Sequence, residues 1–188
     1  ESVADAGATG KDWLYVVVDG AQHAEAAARA VERARTILPC PVWTNTLIEP
    51  SNDVGGTPRN LAIDDVLSQY TRDGPHWFLF LDDDDAWAPG AFDVIRAALR
   101  ERPDVPHIFR MQGPPHGVLW RGPVLEEGNV GGPMFVCPAT PGKVGRWDGR
   151  RCQDFRFMVE TCNLHDDQLE WHREIIYYVR PHEWREAA

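Results

Sequence analysis

Long apolar runs are missing from this chain. Nothing in it approaches the ~20 consecutive apolar residues that a membrane-spanning helix needs. Paired-cysteine spacing is missing too. Cys40, Cys137, Cys152 and Cys162 contain no C-x-x-C, so neither a zinc knuckle nor a dithiol redox motif is indicated. With no signal-peptide pattern either, a reduced, cytoplasmic protein is the expectation. Basic charge is scarce, with 19 Lys+Arg against 29 Asp+Glu and a formal net charge of -10. That balance argues against a protein that coats nucleic acid, which carries a basic stripe. Repeats and low-complexity tracts are absent as well.

What is present makes a folded domain. Over 188 residues, 43% are hydrophobic and 10% aromatic, which excludes a disordered chain. The length suits one domain. Its 15 Pro and 16 Gly require extensive loops. Residues 1–12 are small and polar and read as a flexible tail.

From residue 13 the pattern alternates. The run 13–18 (Trp-Leu-Tyr-Val-Val-Val) is short, continuous and rich in β-formers, as a buried strand is. Ala24, Ala27, Ala28, Val31 and Leu38 form one helical stripe over 21–38, which Pro39 ends. A second strand is predicted over 42–48. After a glycine-bearing loop, Thr57 can cap a helix and Pro58 suits its first position. Residues 77–81 predict a third strand and 90–99 a third helix. Such alternation predicts an α/β fold with a mainly parallel sheet flanked by helices. The second half reads as a smaller mixed part. Strands are predicted at 107–111, 134–137 and 174–179, a helix at 154–162, and a long loop or small hairpin over 112–133.

The third strand runs straight into Asp82-Asp83-Asp84-Asp85. Most acidic runs are solvated loops. This one abuts apolar 78–81, at a strand's carboxyl end, where α/β sheets bind ligands. Adjacent carboxylates repel unless protons or a cation intervene. A hard divalent cation is the natural partner, and Mg²⁺ typically takes one or two carboxylates with phosphates and water completing its shell.

The segment Phe78-Leu79-Phe80-Leu81-Asp82-Asp83-Asp84-Asp85-Ala86-Trp87-Ala88-Pro89 resembles the strand and D-x-D segment of GT-A glycosyltransferases, and among them the inverting family 2. Asn52-x-x-Gly55 with Arg59-Asn60 is similar to that family's N-x-G…R-N segment. Gly145-Arg146-Trp147-Asp148 resembles its G-x-[FW]-D turn, and Gln153-Asp154 its Glu-Asp or Gln-Asp pair. Residues 177–182 (Tyr-Tyr-Val-Arg-Pro-His) resemble its terminal strand. Two loops depart from the family pattern: the first strand ends Val18-Asp19-Gly20-Ala21, and the second reads Thr44-Asn45-Thr46-Leu47.

The resemblance implies one GT-A-like catalytic domain over 13–188, with a nucleotide-sugar half (13–100) and an acceptor half (101–188). It implies a metal-dependent inverting transferase that uses a nucleotide-diphosphate sugar, a UDP-sugar before others, and Mn²⁺ or Mg²⁺. The metal would lie on Asp82, Asp84 and Asp85, with His182 as a further ligand. Asp19, Arg59, Asp82 and Asp83 would serve the donor, and Asp154 would be the base. The acceptor, a hydroxyl compound of unspecified kind, would contact 112–133 and 146–154.

Each residue also has a plainer role. Asp154 lies at a predicted helix start, where Asp is a favoured cap. Arg59 has Asp64 or Asp65 in reach on its own helix. His165 and His172 lie in a polar segment, and His107 has no partner in the sequence pattern. Trp120, Trp147 and Trp171 are stacking candidates, although most tryptophans pack. Two other classes of function remain in view. A nucleotidyltransferase shares this architecture but usually carries a Gly-rich basic signature after its first strand, which 18–22 lacks. A binding module for metal or carbohydrate would not need Asp154.

Overall fold

The computed structural model describes residues 1–69, 76–113 and 117–181. Its first residues are packed, in contrast to the expected tail. Helix α1 is Ser2–Asp5. Ala6 is fully buried in a cluster with Trp87, Ala91 and Ile95. The small side chains let the backbone approach closely, and the N–H groups of Gly90 and Phe92 donate to the carbonyls of Asp5 and Ala6, both at 2.9 Å.

Strand β1 (Leu14–Val18) and β2 (Val42–Thr46) pair in parallel, joined through α2 (Ala24–Ile37). Helix α3 spans Gly56–Ser68. Thr57 is inside it rather than capping it. The capping oxygen comes from Asp53, whose Oδ2 accepts from the Thr57 N–H and hydroxyl, each at 2.7 Å. The remaining elements are β3 (Trp77–Phe78), β4 (Ala86–Trp87), α4 (Ala91–Glu101), β5 (His107–Gly113), β6 (Gly117–Leu119), β7 (Phe135–Pro138), α5 (Gln153–Leu164) and β8 (Glu170–Tyr178).

The sheet is mixed, not mainly parallel. Beside the β1–β2 pair stands a six-stranded sheet of order β3-β7-β5-β8-β4, with β6 hairpinned onto β5. Strands β5 and β8 run parallel, while β7 is antiparallel to β3 and β5, and β4 to β8. The reason lies in the connections. Strands β5, β6 and β7 follow one another with no α-helix between them in the described residues, only a single 3-10 turn at Gly132–Met134, and antiparallel neighbours need no helical crossover.

Alternation along the strands fills both faces. Ile108 and Phe135 face a cluster with Phe157 and Met158 of α5. Phe109 and Val136 face one with Ile95 and Leu99 of α4. Strands β3, β5 and β8 therefore point the same way. Residues 79–85 carry the chain from one sheet edge, β3, to the other, β4. They cross at the carboxyl ends of β5 and β8. Among the described residues, no helix is long and apolar enough to cross a membrane.

Candidate active site

The four aspartates form a turn, not a strand end, closed by the Asp85 N–H on the Asp82 carbonyl at 3.2 Å. Their side chains diverge. Asp82 pairs with Arg59 of α3. Asp84 pairs with Arg180 at 3.1 Å. Asp85 accepts the Arg180 N–H at 2.9 Å and a hydrogen bond from the Tyr177 hydroxyl. Asp83 is exposed. Tyr177 anchors the turn from below. It is fully buried, and its oxygen accepts the Asp82 N–H at 3.1 Å. Burial pushes the Tyr177 hydroxyl pKa well up, so it stays a donor to Asp85. Burial also raises Asp85.

The sequence leads one to expect several convergent metal-ligating carboxylates. Among the described residues, no three His, Cys, Asp or Glu side chains are gathered to hold a metal ion. Asp85 is committed to Tyr177 and to the backbone, and His182 lies outside the described residues. The oxygen donors that fit a hard divalent cation in chemical type are Asp82 and Asp84. Both side chains are close to half exposed, at 42% and 47%. Each is currently balanced by an arginine.

Arg59 does not pair along its own helix. Asp64 takes Arg146 at 2.5 Å, and Asp65 takes the Tyr15 hydroxyl. Besides holding Asp82, Arg59 donates to the Val54 carbonyl at 3.1 Å and lies over the Trp147 ring, 4.7 Å from its centroid. Trp147 is itself fixed on both sides. Asn60 bonds its carbonyl at 2.7 Å and its N–H at 3.1 Å, and the ring stacks on Phe157 at 4.6 Å. The adjacent Arg59 and Asn60 therefore hold two sides of one pocket.

That pocket, of about 160 Å³, is lined by Arg59, Phe80, Asp82, Trp147, Gln153 and Asp154, among others. It joins Asp82, Arg59 and Asp154, which lie far apart in sequence. A larger hollow of about 300 Å³ lies within the loop 121–129 and touches none of these residues.

Asp154 is not the cap of α5. Cys152 occupies that place, in a left-handed conformation at φ 60. Asp154 follows as the second helical residue, and its Oδ2 accepts the Gly132 N–H at 3.2 Å. A Cβ on Gly132 would meet Trp147 at 2.9 Å, so glycine lets this loop close over the carboxylate. In the arginine-rich segment before it, Arg150 lies 3.5 Å from Asp148. Arg156 grips Asp148 with both Nε (2.6 Å) and Nη2 (2.8 Å), which holds that carboxyl at about 2. Cys152 donates to Glu127 at 2.9 Å, and this raises its thiol pKa.

Asp19 follows β1 and lies outside the pocket. Its carboxylate takes the Ser51 N–H and hydroxyl, each at 2.7 Å. The Ser51 hydroxyl is also 2.7 Å from Asp53. Burial works against ionisation of Asp53, but hydrogen bonds from Thr57 and Ser51 outweigh it and lower its pKa.

The histidines differ from expectation. His165 is buried, bridging the Asp104 and Lys143 carbonyls at 3.1 Å each. His107 is fully buried and meets half-buried His172 at 2.9 Å. The β5–β8 pairing brings these two together, and sequence spacing does not reveal it. Trp120 and Trp171 pack edge to face at 5.2 Å.

Gln153 is the site residue that sequence reasoning passes over. It is 3% exposed and hydrogen-bonded at both ends of its amide. The signal was its place beside Asp154.

No protein-family model and no curated protein matches the chain. Solved structures do. S. aureus TarS superposes with TM-score 0.69 at 18% identity, over 98% of this chain and 34% of that one. TarS 1-349 in complex with UDP gives 0.68 at 18% identity, covering 95% and 54%. Its complex with UDP-GlcNAc gives 0.69 at 18% identity, covering 95% and 52%. The chain thus spans between a third and about half the length of the chains it matches. At this identity the likeness shows the fold alone: an α/β fold with a mixed sheet, shared with TarS.

Proposed function

We propose that this chain carries the catalytic domain of an inverting glycosyltransferase that takes its sugar from a UDP-sugar. The observation that carries the reading is the single pocket that unites Arg59, Asp82 and Asp154. It lies by the carboxyl ends of parallel strands, where such sheets bind ligands. The likeness to a fold solved with UDP and UDP-GlcNAc supports the donor class.

The chemistry assigns two tasks. An acceptor hydroxyl attacks the anomeric carbon from the face opposite the departing diphosphate, which inverts that centre. Asp154 takes the hydroxyl proton as the new bond forms. Arg59, fixed by Trp147 and the Val54 carbonyl, presents a guanidinium suited to a phosphate oxygen. Trp147 and Phe80 supply apolar walls to the pocket. Mg²⁺ or Mn²⁺ would be held by Asp82 and Asp84, and as a Lewis acid it would neutralise charge on the diphosphate. Asp85 then shapes the turn by holding it to Tyr177 and to the Arg180 backbone, while Asp83 stands exposed beside the donor. Asp19 and Ser51 tie together the loops after β1 and β2, which would face the nucleoside.

Calorimetric titration of UDP, in Mn²⁺ and then in chelator, tests the assignment. Wild type binds UDP with the metal and more weakly without it. Asp82→Ala loses the metal-dependent part. Equal UDP affinity in the two proteins overturns the site.

A further inference from the structure

Resting on that reading, we propose that Gln153 is a positioning residue that couples the base Asp154 to the donor-side pair Arg59–Asp82 through the Val54 carbonyl. The geometry is specific. The Gln153 amide nitrogen donates to the Val54 carbonyl at 2.8 Å and is 3.3 Å from the Asp53 carbonyl. Arg59 donates to the same Val54 oxygen at 3.1 Å, while its other nitrogen holds Asp82. One carbonyl therefore receives a donor from the acceptor half and a donor from the nucleotide half.

The surrounding backbone is built around this junction. Gln153 Oε1 accepts the Gly149 N–H at 3.0 Å. A Cβ on Gly56 would meet that oxygen at 2.7 Å, and one on Gly149 would meet the Asp53 Cβ at 2.9 Å. The loops at 51–56 and 149–153 interlock at two glycines, so a side chain at either would push the loops apart. Val54 itself sits at φ 57. A β-branched residue in the left-handed region is strained unless its surroundings over-determine it. Two donors on one carbonyl supply that constraint.

Asp154 is the next residue along α5, so the junction fixes where its carboxylate starts. Arg59 is oriented by the same oxygen. Displacing a catalytic group by ~1 Å costs on the order of 100-fold in rate. Gln153 forms part of the pocket wall, but its amide is engaged by Val54 and Gly149 rather than aimed at the donor. It acts through its two neighbours.

Gln153→Glu tests the coupling with little change of shape. The carboxylate keeps the acceptor for Gly149 but cannot donate to Val54 while ionised. The readout is UDP release from UDP-GlcNAc with water as acceptor, in wild type and variant. The expected result is a kcat lower by about 10- to 100-fold, with KM for UDP-GlcNAc changed by less than about 3-fold. A second signature separates positioning from mere structure. As pH falls, the new carboxyl protonates and regains a donor, so the activity ratio of variant to wild type rises. A third readout needs no turnover. In a double-mutant cycle on UDP affinity, Arg59→Ala and Gln153→Glu are non-additive, because both act on one carbonyl. Equal kcat at every pH, or strict additivity in the cycle, overturns the coupling while leaving the transferase reading intact. Wild type that neither binds UDP nor releases it overturns both.

Discussion

Replacing Tyr177 with Phe removes one oxygen atom from beneath the acidic turn, and its effect can be worked out from the contacts. The ring stays, including its edge-to-face packing on Trp87 at 5.0 Å. Two hydrogen bonds go. The Asp82 N–H loses its acceptor at 3.1 Å, and Asp85 loses a donor. A neutral hydrogen bond contributes roughly 1 kcal/mol net, and one to a charged group roughly 1.5–3 kcal/mol. Water reaches the turn and recovers part of the first. The expected loss is about 2–3 kcal/mol, or roughly 4–12 °C in melting temperature for a chain of this length.

This loss depends on pH in a definite direction. Burial raises the folded pKa of Asp85, while the Tyr177 bond opposes that rise. Without the hydroxyl the folded pKa climbs further, so ionised Asp85 becomes less compatible with the fold. The gap between variant and wild type is therefore widest near neutrality. It narrows as pH falls through the carboxylate range. Urea midpoints at about pH 7 and about pH 4.5 read both effects. A loss below about 0.5 kcal/mol, or a gap equal at the two pH values, refutes the argument.

Other outcomes follow from the same structure. Gly149→Ala places a side chain at φ 71, with its Cβ 2.9 Å from the Asp53 Cβ, and lowers stability by about 1–3 kcal/mol in urea unfolding. A change within about 0.3 kcal/mol would show that the two loops do not interlock. Burial lowers the pKa of His107, His165 and His172. A base with a depressed folded pKa stabilises the fold above its unfolded pKa of about 6.5 and loses that contribution as pH falls below it. Urea midpoints therefore decline from about pH 7.5 to about pH 5.5, and a flat profile speaks against burial of these rings.

Much of the fold is visible in local pattern. The apolar run at 14–18, the alanine stripe of α2 and the Pro-Gly start of α4 each carry their own signal. Strand direction does not. It depends on which strands become neighbours, and β5 finds β8 across more than fifty residues of intervening chain. The packed 1–12 segment escapes for a related reason. Its side chains are small, and what holds it is close backbone approach to Gly90 and Phe92.

At the site, Arg59, Asp82 and Asp154 could be named from spacing and resemblance, and the structure brings them to one pocket. The turning of Asp84 and Asp85 toward Arg180, away from Asp82's partner Arg59, could not be read that way. A run of identical residues does not reveal that 82–85 closes into a turn over Tyr177. Gln153 is overlooked because its role lies in what its amide reaches, the Val54 carbonyl, about a hundred residues earlier in the chain.

The central claim is that Asp154 acts as the base in transfer from a UDP-sugar. The measurement that tests it most directly is UDP release from UDP-GlcNAc by wild type and Asp154→Asn, paired with UDP affinity for each. The account predicts a fall in kcat of about 100- to 10,000-fold, with the dissociation constant of UDP unchanged within about 3-fold. Undiminished release by Asp154→Asn, or a loss explained wholly by weaker UDP binding, contradicts it.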